Sequence, residues 1–451
     1  MAKPKISNST IKIILIAALT LLFLIPISLI GHLIDDRTSY RREAINSITE
    51  PLGRNAELQG LVIVVPYLVH QESVDAKGVP HIQTETKYVI FAPETYSLDI
   101  QVNPYYLTRG IFKVPVFNGK IDLKSDFKKF DFSYFNIEEK DLQKKDAILI
   151  LGLSNTKNLT ARPKLMLDGR ELEISPVKYN SVSPFRASVC YNLGDFFESA
   201  NFTSAKKSSE FSLQLSGSIE FQGGEKIRLT PIAGDNTFRM QSDWKSPSFA
   251  GGWLPKEREL SDKGFTALWE IAGLSTVYPK SWHSENTFNA ESVEISFIVP
   301  VNAYKKIERS VKYALLFLII PFIALLISEI FSRVKIHPVQ YCLIGLADVI
   351  LYLLLLSISE HIPFDFAYLI CAVSVSFATF FYASAIFKKP KWGGLLSGVQ
   401  LVSYIFLYGT LQAEDYALLI GSIGLFAVIV LLMVITRKVD WYELNQPADG
   451  Q

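Results

Sequence analysis

The chain has 451 residues, of which 49% are hydrophobic, 12% aromatic and 20% charged, with a formal net charge of +1. Near-neutral charge supplies no global basic field and argues against nucleic acid as a partner. The three cysteines, Cys190, Cys342 and Cys371, form neither a disulfide framework nor a zinc cluster. A chain this long holds two or three domains, and its greasiness exceeds that of an ordinary soluble protein.

The apolar residues are unevenly placed. Crossing the hydrocarbon of a bilayer takes roughly 20 apolar residues in a helix, and residues 11–30 (IKIILIAALTLLFLIPISLI) are the first such run. It reads as a signal peptide or a retained anchor. Its length, and the lack of a small-x-small cleavage pattern after it, favour the anchor. Pro26 is expected to add at most a kink. RREAINSITEPLG (41–53) predicts a short helix linking this anchor to the first strands.

Between 33 and 312 period-2 alternation replaces the apolar blocks. FKVPVF, turned by Asn118–Gly119 into KIDLKSDF, predicts a hairpin. In FSLQLSGSIEF the residues Phe211, Leu213, Leu215, Gly217, Ile219 and Phe221 share one face of a strand. Gly223–Gly224 then predicts a second hairpin into KIRLTPI. FTALWEI (265–271) and VEISFIV (293–299) alternate as well. Strands at short intervals point to an antiparallel β-sandwich or a pair of them. One cysteine in this region leaves its stability to the core and fits a bacterial periplasm. The stretch SDWKSPSFAGGWLPKER (242–258) predicts a shaped loop rather than a strand. Asp243, Trp244, Phe249, Trp253 and Arg258 are its candidate binding residues, against the alternative that the loop simply packs over the sandwich end.

Five more apolar runs follow, at 313–331, 341–359, 366–387, 394–412 and 417–436. Lys3, Lys5 and Lys12, Arg333 and Lys335, Lys388, Lys389 and Lys391, and Arg437 and Lys438 all fall on one side of a six-span arrangement. The connectors at 360–365 and 413–416 carry only Glu360, Asp365, Glu414 and Asp415. The positive-inside rule then puts both termini in the cytoplasm. Arg37, Arg41, Arg42, Lys305, Lys306, Arg309 and Lys312 flank the long middle segment, where the charge bias is weak, and are expected to meet anionic headgroups.

No serine-hydrolase elbow, zincin motif, Walker loop or Rossmann glycine pattern is present, so no catalytic residue and no cofactor is expected. Asp348, a carboxylate within a span, is costly unless paired or hydrated. It reads as a proton or ion relay, or as a polar contact with a tyrosine such as Tyr352 or Tyr404. Glu329 is expected to reach the interface or pair with Arg333 four residues on. Gly394 and Gly398 form a Gly-x-x-x-Gly step for close helix packing. His337–Pro338 is a helix start. Ser359, Glu360 and His361, with Glu414, Asp415 and Tyr416, are expected on one exposed outer rim. That rim is a candidate for a divalent cation or a pH sensor, with helix capping and docking of the middle domain as the plainer readings.

SDWKSPSFAGGWLP (242–255), GFTALW (264–269), KYALLFLIIPFIALLISEIF (312–331), HPVQYCLIGLA (337–347), YLLLLSISEHIPFDFAY (352–368), EDYALLIGSIGLF (414–426) and TRKVDWY (436–442) together resemble the CreD family of bacterial inner-membrane proteins. The likeness covers most of the second half of the chain. It implies a role in cell envelope integrity, expression tied to a two-component stress response, and links to colicin tolerance and β-lactam response. No active site comes with it.

The expected architecture is therefore an α-helical membrane protein of six transmembrane helices, with a large all-β, antiparallel sandwich-like periplasmic domain between helices 1 and 2. Residues 1–32 are the cytoplasmic N-terminus and anchor, 33–312 the β-rich domain, 313–437 a five-helix bundle and 438–451 a cytoplasmic tail. The expected location is the bacterial inner membrane. The expected partners are the lipid bilayer and an unidentified periplasmic protein or envelope component, in a non-enzymatic role. A small ion- or proton-coupled transporter using Asp348 and the rim is the alternative, and a metal-assisted membrane enzyme a third.

Overall fold

The computed structural model describes residues 8–74, 80–128, 130–175, 184–185, 187–198, 212–297, 303–413 and 416–437. Contacts divide the chain into a helical unit, residues 1–41 with 301–451, and a β unit, residues 42–300.

Among the described residues the β unit forms two eight-stranded sheets. The first has the order β12-β16-β10-β1-β2-β15, with β5 pairing both β1 and β8. Its strands are β1 (Ala56–Val74), β2 (Pro80–Phe91), β5 (Ile148–Leu153), β8 (Ala187–Asn192), β10 (Lys226–Leu229), β12 (Pro247–Gly251), β15 (Ser281–His283) and β16 (Val293–Phe297). The second runs β13-β14-β11-β3-β4-β9-β6-β7. Its strands are β3 (Thr95–Arg109), β4 (Phe112–Lys128), β6 (Lys164–Leu167), β7 (Arg170–Glu171), β9 (Ser212–Gly223), β11 (Asp235–Ser242), β13 (Glu257–Ser261) and β14 (Gly264–Ala272).

One core joins side chains of both sheets, among them Val62, Val64, Leu98, Ile100, Phe117, Ile219, Phe238 and Ile295. In β1 the run Leu61–Val65 is buried on both faces, as is all of β5. Unbroken apolar runs of this kind belong to strands covered on both sides. Phe130 closes part of the covering layer, packing on Phe91 and on Phe197 of the short helix α2 (Gly194–Glu198).

Several expectations are corrected. The sheets are mixed, because β10 runs parallel to β1 and β11 parallel to β3. Asn118–Gly119 makes no turn: β4 runs straight through it, and Gly119 sits where a Cβ would strike Gln101 O and the Phe221 ring. The real hairpin turns at Gly110 (φ 59°), joining β3 to β4. Gly223–Gly224 is not a hairpin either, since β9 and β10 lie in different sheets and the chain crosses from one to the other. The 242–258 stretch is not all loop. Residues 247–251 form β12 on β16, and β13 begins at Glu257.

The helical unit holds α1 (Asn8–Thr49), α3 (Ala303–Ser332), α4 (Pro338–Ser359), α5 (Phe364–Phe387), α6 (Pro390–Gln412) and α7 (Ala417–Thr436). Among the described residues five helices, α1 and α3–α6, are long and apolar enough to cross a membrane, while α7 shows a shorter apolar stretch, Leu419–Leu431. The predicted linker helix at 41–53 is the last part of α1, because nothing between Leu33 and Ile48 breaks a helix. α1 stops at Thr49, before Pro51 and the left-handed pair Gly53 (φ 82°) and Arg54 (φ 61°). Prolines at the first positions of α4 and α6 start those helices, where a missing N–H costs nothing.

Candidate functional site

The helical unit carries three polar clusters, each attached to a residue singled out in the sequence. Asp348 lies midway along α4 and is 4% exposed. Gln400 and Tyr404 stand one turn apart on α6, which places both on the face toward it. Tyr404 Oη donates to Asp348 Oδ1 at 2.7 Å, and Gln400 Nε2 donates to the same oxygen and to Tyr404 Oη at 3.1 Å. Tyr368 of α5 donates to the backbone carbonyl of Tyr404 at 2.7 Å. The expected tyrosine contact is therefore made by Tyr404. Gln400 was missed, although a glutamine in an apolar run one turn from Tyr404 was a visible signal. Among the described residues Asp348 Oδ2 and Gln400 Oε1 are buried and have no hydrogen-bond partner. A buried oxygen without a donor is costly, so this cluster has capacity left for a proton or a further donor.

Glu329 sits near the end of α3 and is 6% exposed. Its expected partner is corrected. α3 ends at Ser332, and Arg333 takes a left-handed conformation (φ 57°) that carries it off the helical i,i+4 position. Glu329 instead pairs with Lys12 of α1, accepts the Ile336 N–H at 2.9 Å and accepts Tyr341 Oη of α4 at 2.9 Å. It ties three helices and a connector together. His337, just beyond, caps α4: its ring accepts from Val339 N–H at 3.2 Å, and Gln340 Oε1 accepts from His337 N–H at 2.9 Å.

The rim differs from the expected cluster of histidine and carboxylates. The Glu360 side chain is only 10% exposed, which corrects the expectation of an exposed turn. It accepts Tyr304 Oη of α3 at 3.2 Å and lies 3.4 Å from Arg37 Nε of α1. His361 is exposed, Ser359 Oγ bonds back to Leu356 O at 3.1 Å, and Tyr416 is exposed in a turn. Glu414 and Asp415 lie outside the described residues. Among the described residues no group of three or more His, Cys, Asp or Glu side chains is placed to hold a metal ion. Asp365 has partners of its own. It accepts from Tyr408 Oη at 3.0 Å and Gln412 Nε2 at 2.8 Å, while Gln412 Oε1 accepts Lys306 Nζ at 2.8 Å. Arg37 and Lys306, expected to face headgroups, are thus engaged within the helical unit.

The glycine step is corrected too. A Cβ at Gly394 or Gly398 would meet nothing within 4 Å, whereas at Gly393 it would strike Ser384 Oγ and approach Phe380 O at 2.6 Å. Close packing of α6 on α5 uses the neighbouring glycine.

In the β unit the 242–258 residues are mostly packed. Trp244 is buried, contacts the rings of Tyr106 (5.6 Å) and Phe297 (6.0 Å), and donates its indole N–H to Ser246 O at 3.2 Å. Phe249 packs edge-on against Phe265 and Trp269, and Trp253 O accepts the Trp269 indole N–H at 3.3 Å. Asp243 and Arg258 remain exposed, the latter beside an open cleft of about 180 Å³ shared with Arg239, Glu257 and Glu259.

A β unit of this size between an N-terminal apolar helix and a set of C-terminal ones is the layout implied by the resemblance above. A family profile described as "Inner membrane protein CreD" matches residues 8–442. The chain belongs to the CreD family. The inner membrane protein CreD of Escherichia coli (strain K12) is 26% identical over 435 residues, covering 95% of this chain and 92% of that protein. The family is one of inner-membrane proteins, and this CreD relative carries the apolar helices that such a location needs. Within it, Glu329 and its partner Tyr341 fall in the stretches that carry the likeness quoted above, whereas Asp348, Gln400 and Tyr404 lie outside them.

Proposed function

We propose that this CreD-family chain is a non-enzymatic inner-membrane protein that supports cell envelope integrity by holding a periplasmic partner or envelope component on its β unit. In this reading all six apolar helices span the membrane, α7 included. Both termini are cytoplasmic and the β unit is periplasmic. Lysine and arginine placement supports that orientation. The observation that carries the reading is the β unit itself, a two-sheet body covering residues 42–300 between membrane helices. Its closely packed core leaves recognition to exposed positions such as Asp243 and Arg258. In-cell photocrosslinking from those two positions is the test. Recovery of one envelope component supports the reading, and hydrolysis of peptidoglycan, lipid or β-lactam by the purified chain would overturn it.

A second reading is favoured by one observation, the unpartnered Oδ2 of buried Asp348. An ion- or proton-coupled transporter needs a polar group of this kind within the lipid. Flux into proteoliposomes is compared for the parent chain, Asp348→Asn and Glu360→Gln. Loss of flux in Asp348→Asn supports transport, while no flux in the parent chain eliminates it. A metal-assisted enzyme at the rim is the third proposal; metal analysis of the purified protein tests it, and protein free of metal would end it.

A further inference from the structure

The β3–β4 hairpin departs from the rest of its sheet. From Tyr96 to Val102 every second residue of β3 is buried, and the alternation stops at Pro104, after which Tyr105 to Arg109 are all exposed. Tyr105, Tyr106, Leu107 and Ile111 are 38%, 49%, 37% and 45% exposed. Arg109 and Lys113 stand among them, and no acidic residue occurs from Asn103 to Lys113. Among the other described residues of the β unit, exposed large apolar side chains come singly or in pairs, as at Ile82, Met166 and Leu274. Aromatic and aliphatic residues mixed with basic ones are the composition of segments that settle into the headgroup layer of a bilayer.

The topology says which end of the β unit this finger leaves from. Where the chain enters, Arg54 O accepts Gly224 N–H at 2.6 Å, and where it exits, Phe297 N–H donates to Glu225 O at 2.9 Å. Entry and exit therefore meet at the same turn. That turn follows β9, whose last residue Gly223 pairs with Phe117 of β4. Residues 112–116 of β4 and their β3 partners run on past this level. Six residues of strand, Phe117 to Ile111, reach about 20 Å. The exit tether is equally short, because the six residues from Phe297 to Ala303, where α3 begins, span at most about 20 Å. The finger therefore projects from the end of the β unit at which the chain enters from α1 and leaves toward α3.

We infer that the tip of the β3–β4 hairpin, Tyr105 to Lys113, is a membrane-surface finger, with Tyr105, Tyr106, Leu107 and Ile111 in the interfacial layer and Arg109 and Lys113 on anionic lipid headgroups. This goes beyond the proposed envelope role and holds whichever side of the membrane the β unit occupies.

The test uses the full chain, its native cysteines replaced by alanine, in nanodiscs with and without anionic phospholipid. Ile111→Cys carries a nitroxide, and Leu274→Cys, at the opposite end beyond β14 and fully exposed, is the reference. A membrane finger gives the label at 111 a several-fold higher ratio of oxygen to nickel-chelate accessibility than the label at 274. Arg109→Glu with Lys113→Glu lowers that ratio in anionic nanodiscs only. Equal ratios at the two positions, showing a solvated tip, overturn the proposal. So does a label at 111 shielded from both reagents, which would show a tip covered by protein. Should the alanine background fail to fold, benzoylphenylalanine at position 111 in the native-cysteine chain gives the same decision: lipid adducts after illumination support the finger, and their absence refutes it.

Discussion

Asn236 in the β unit and Asp348 in the helical unit are both buried polar residues, and they are treated in opposite ways. Asn236 is fully satisfied. Its Oδ1 accepts the N–H groups of Ile232 and Ala233, each at 3.0 Å, and its Nδ2 donates to Ala233 O at 3.0 Å and Ile271 O at 3.2 Å. Asp348 has one oxygen bonded by two donors and the other by none among the described residues. A closed network of this sort fixes a loop and a strand pairing. An open one in the path of a membrane helix is where chemistry has room, which is why the transport reading centres on it.

The contrast can be broken in four ways. Asn236→Ala orphans two buried N–H groups and should cost about 3 kcal/mol of β-unit stability, measured by chemical unfolding; a loss under about 1 kcal/mol would mean the network is dispensable. Asp348→Leu strands the Tyr404 hydroxyl proton and leaves the Gln400 amide only its bond to Tyr404 Oη, and should cost about 2 kcal/mol, whereas Asp348→Asn stays within about 1 kcal/mol of the parent. Thermal melting in detergent separates the two, and equal losses would contradict the assigned contacts. Gly393→Ala crowds Ser384 and should lose about 1–2 kcal/mol. Gly394→Ala, with open space around it, should lose nothing in the same assay.

The smallest effect is a pH dependence. Glu294 lies between Lys226 and Arg228, with Arg228 Nη2 at 2.7 Å. Burial pushes its carboxyl up, but the two cations outweigh that and hold it below the usual carboxylate range. A depressed folded-state value means stability that is present above the unfolded carboxylate's ordinary range and lost as pH falls through the folded one. Parent minus Glu294→Gln stability should be positive near neutrality and should shrink toward zero as pH falls below the ordinary carboxylate range. A difference independent of pH would assign the effect to packing.

Much of the fold was legible because its signals are local. Apolar runs marked the helices, and alternation marked β9, β14 and β16. What failed were inferences about partners. Asn-Gly and Gly-Gly are strong turn signals, yet Gly119 is needed for close approach to Gln101 and Phe221, and Gly224 for a crossing between sheets. Parallel pairings such as Thr95 opposite Asp235 leave no mark on either strand. The Glu329 and Glu360 contacts were missed for the same reason. Lys12, Tyr341, Arg37 and Tyr304 sit far from their carboxylates in sequence, while the nearby Arg333 was the tempting choice.

The way β1 and β3 are partnered has a consequence for how the protein is made. β1 needs β10, which is itself flanked by β16, and β3 needs β11. A ribosome releases the chain from its N-terminus, so β3 keeps one bare edge until β11 arrives, and β1, joined early by β2 and β5, keeps Ala56–Leu58 open on one side until β10 arrives. Non-local pairing of this kind is slow, and bare edges invite aggregation. The nascent segment is therefore expected to need chaperoning through most of its synthesis. Chains truncated after Gln222 should be degraded by added protease at least ten-fold faster than the full chain, and equal resistance would show that the first half folds alone.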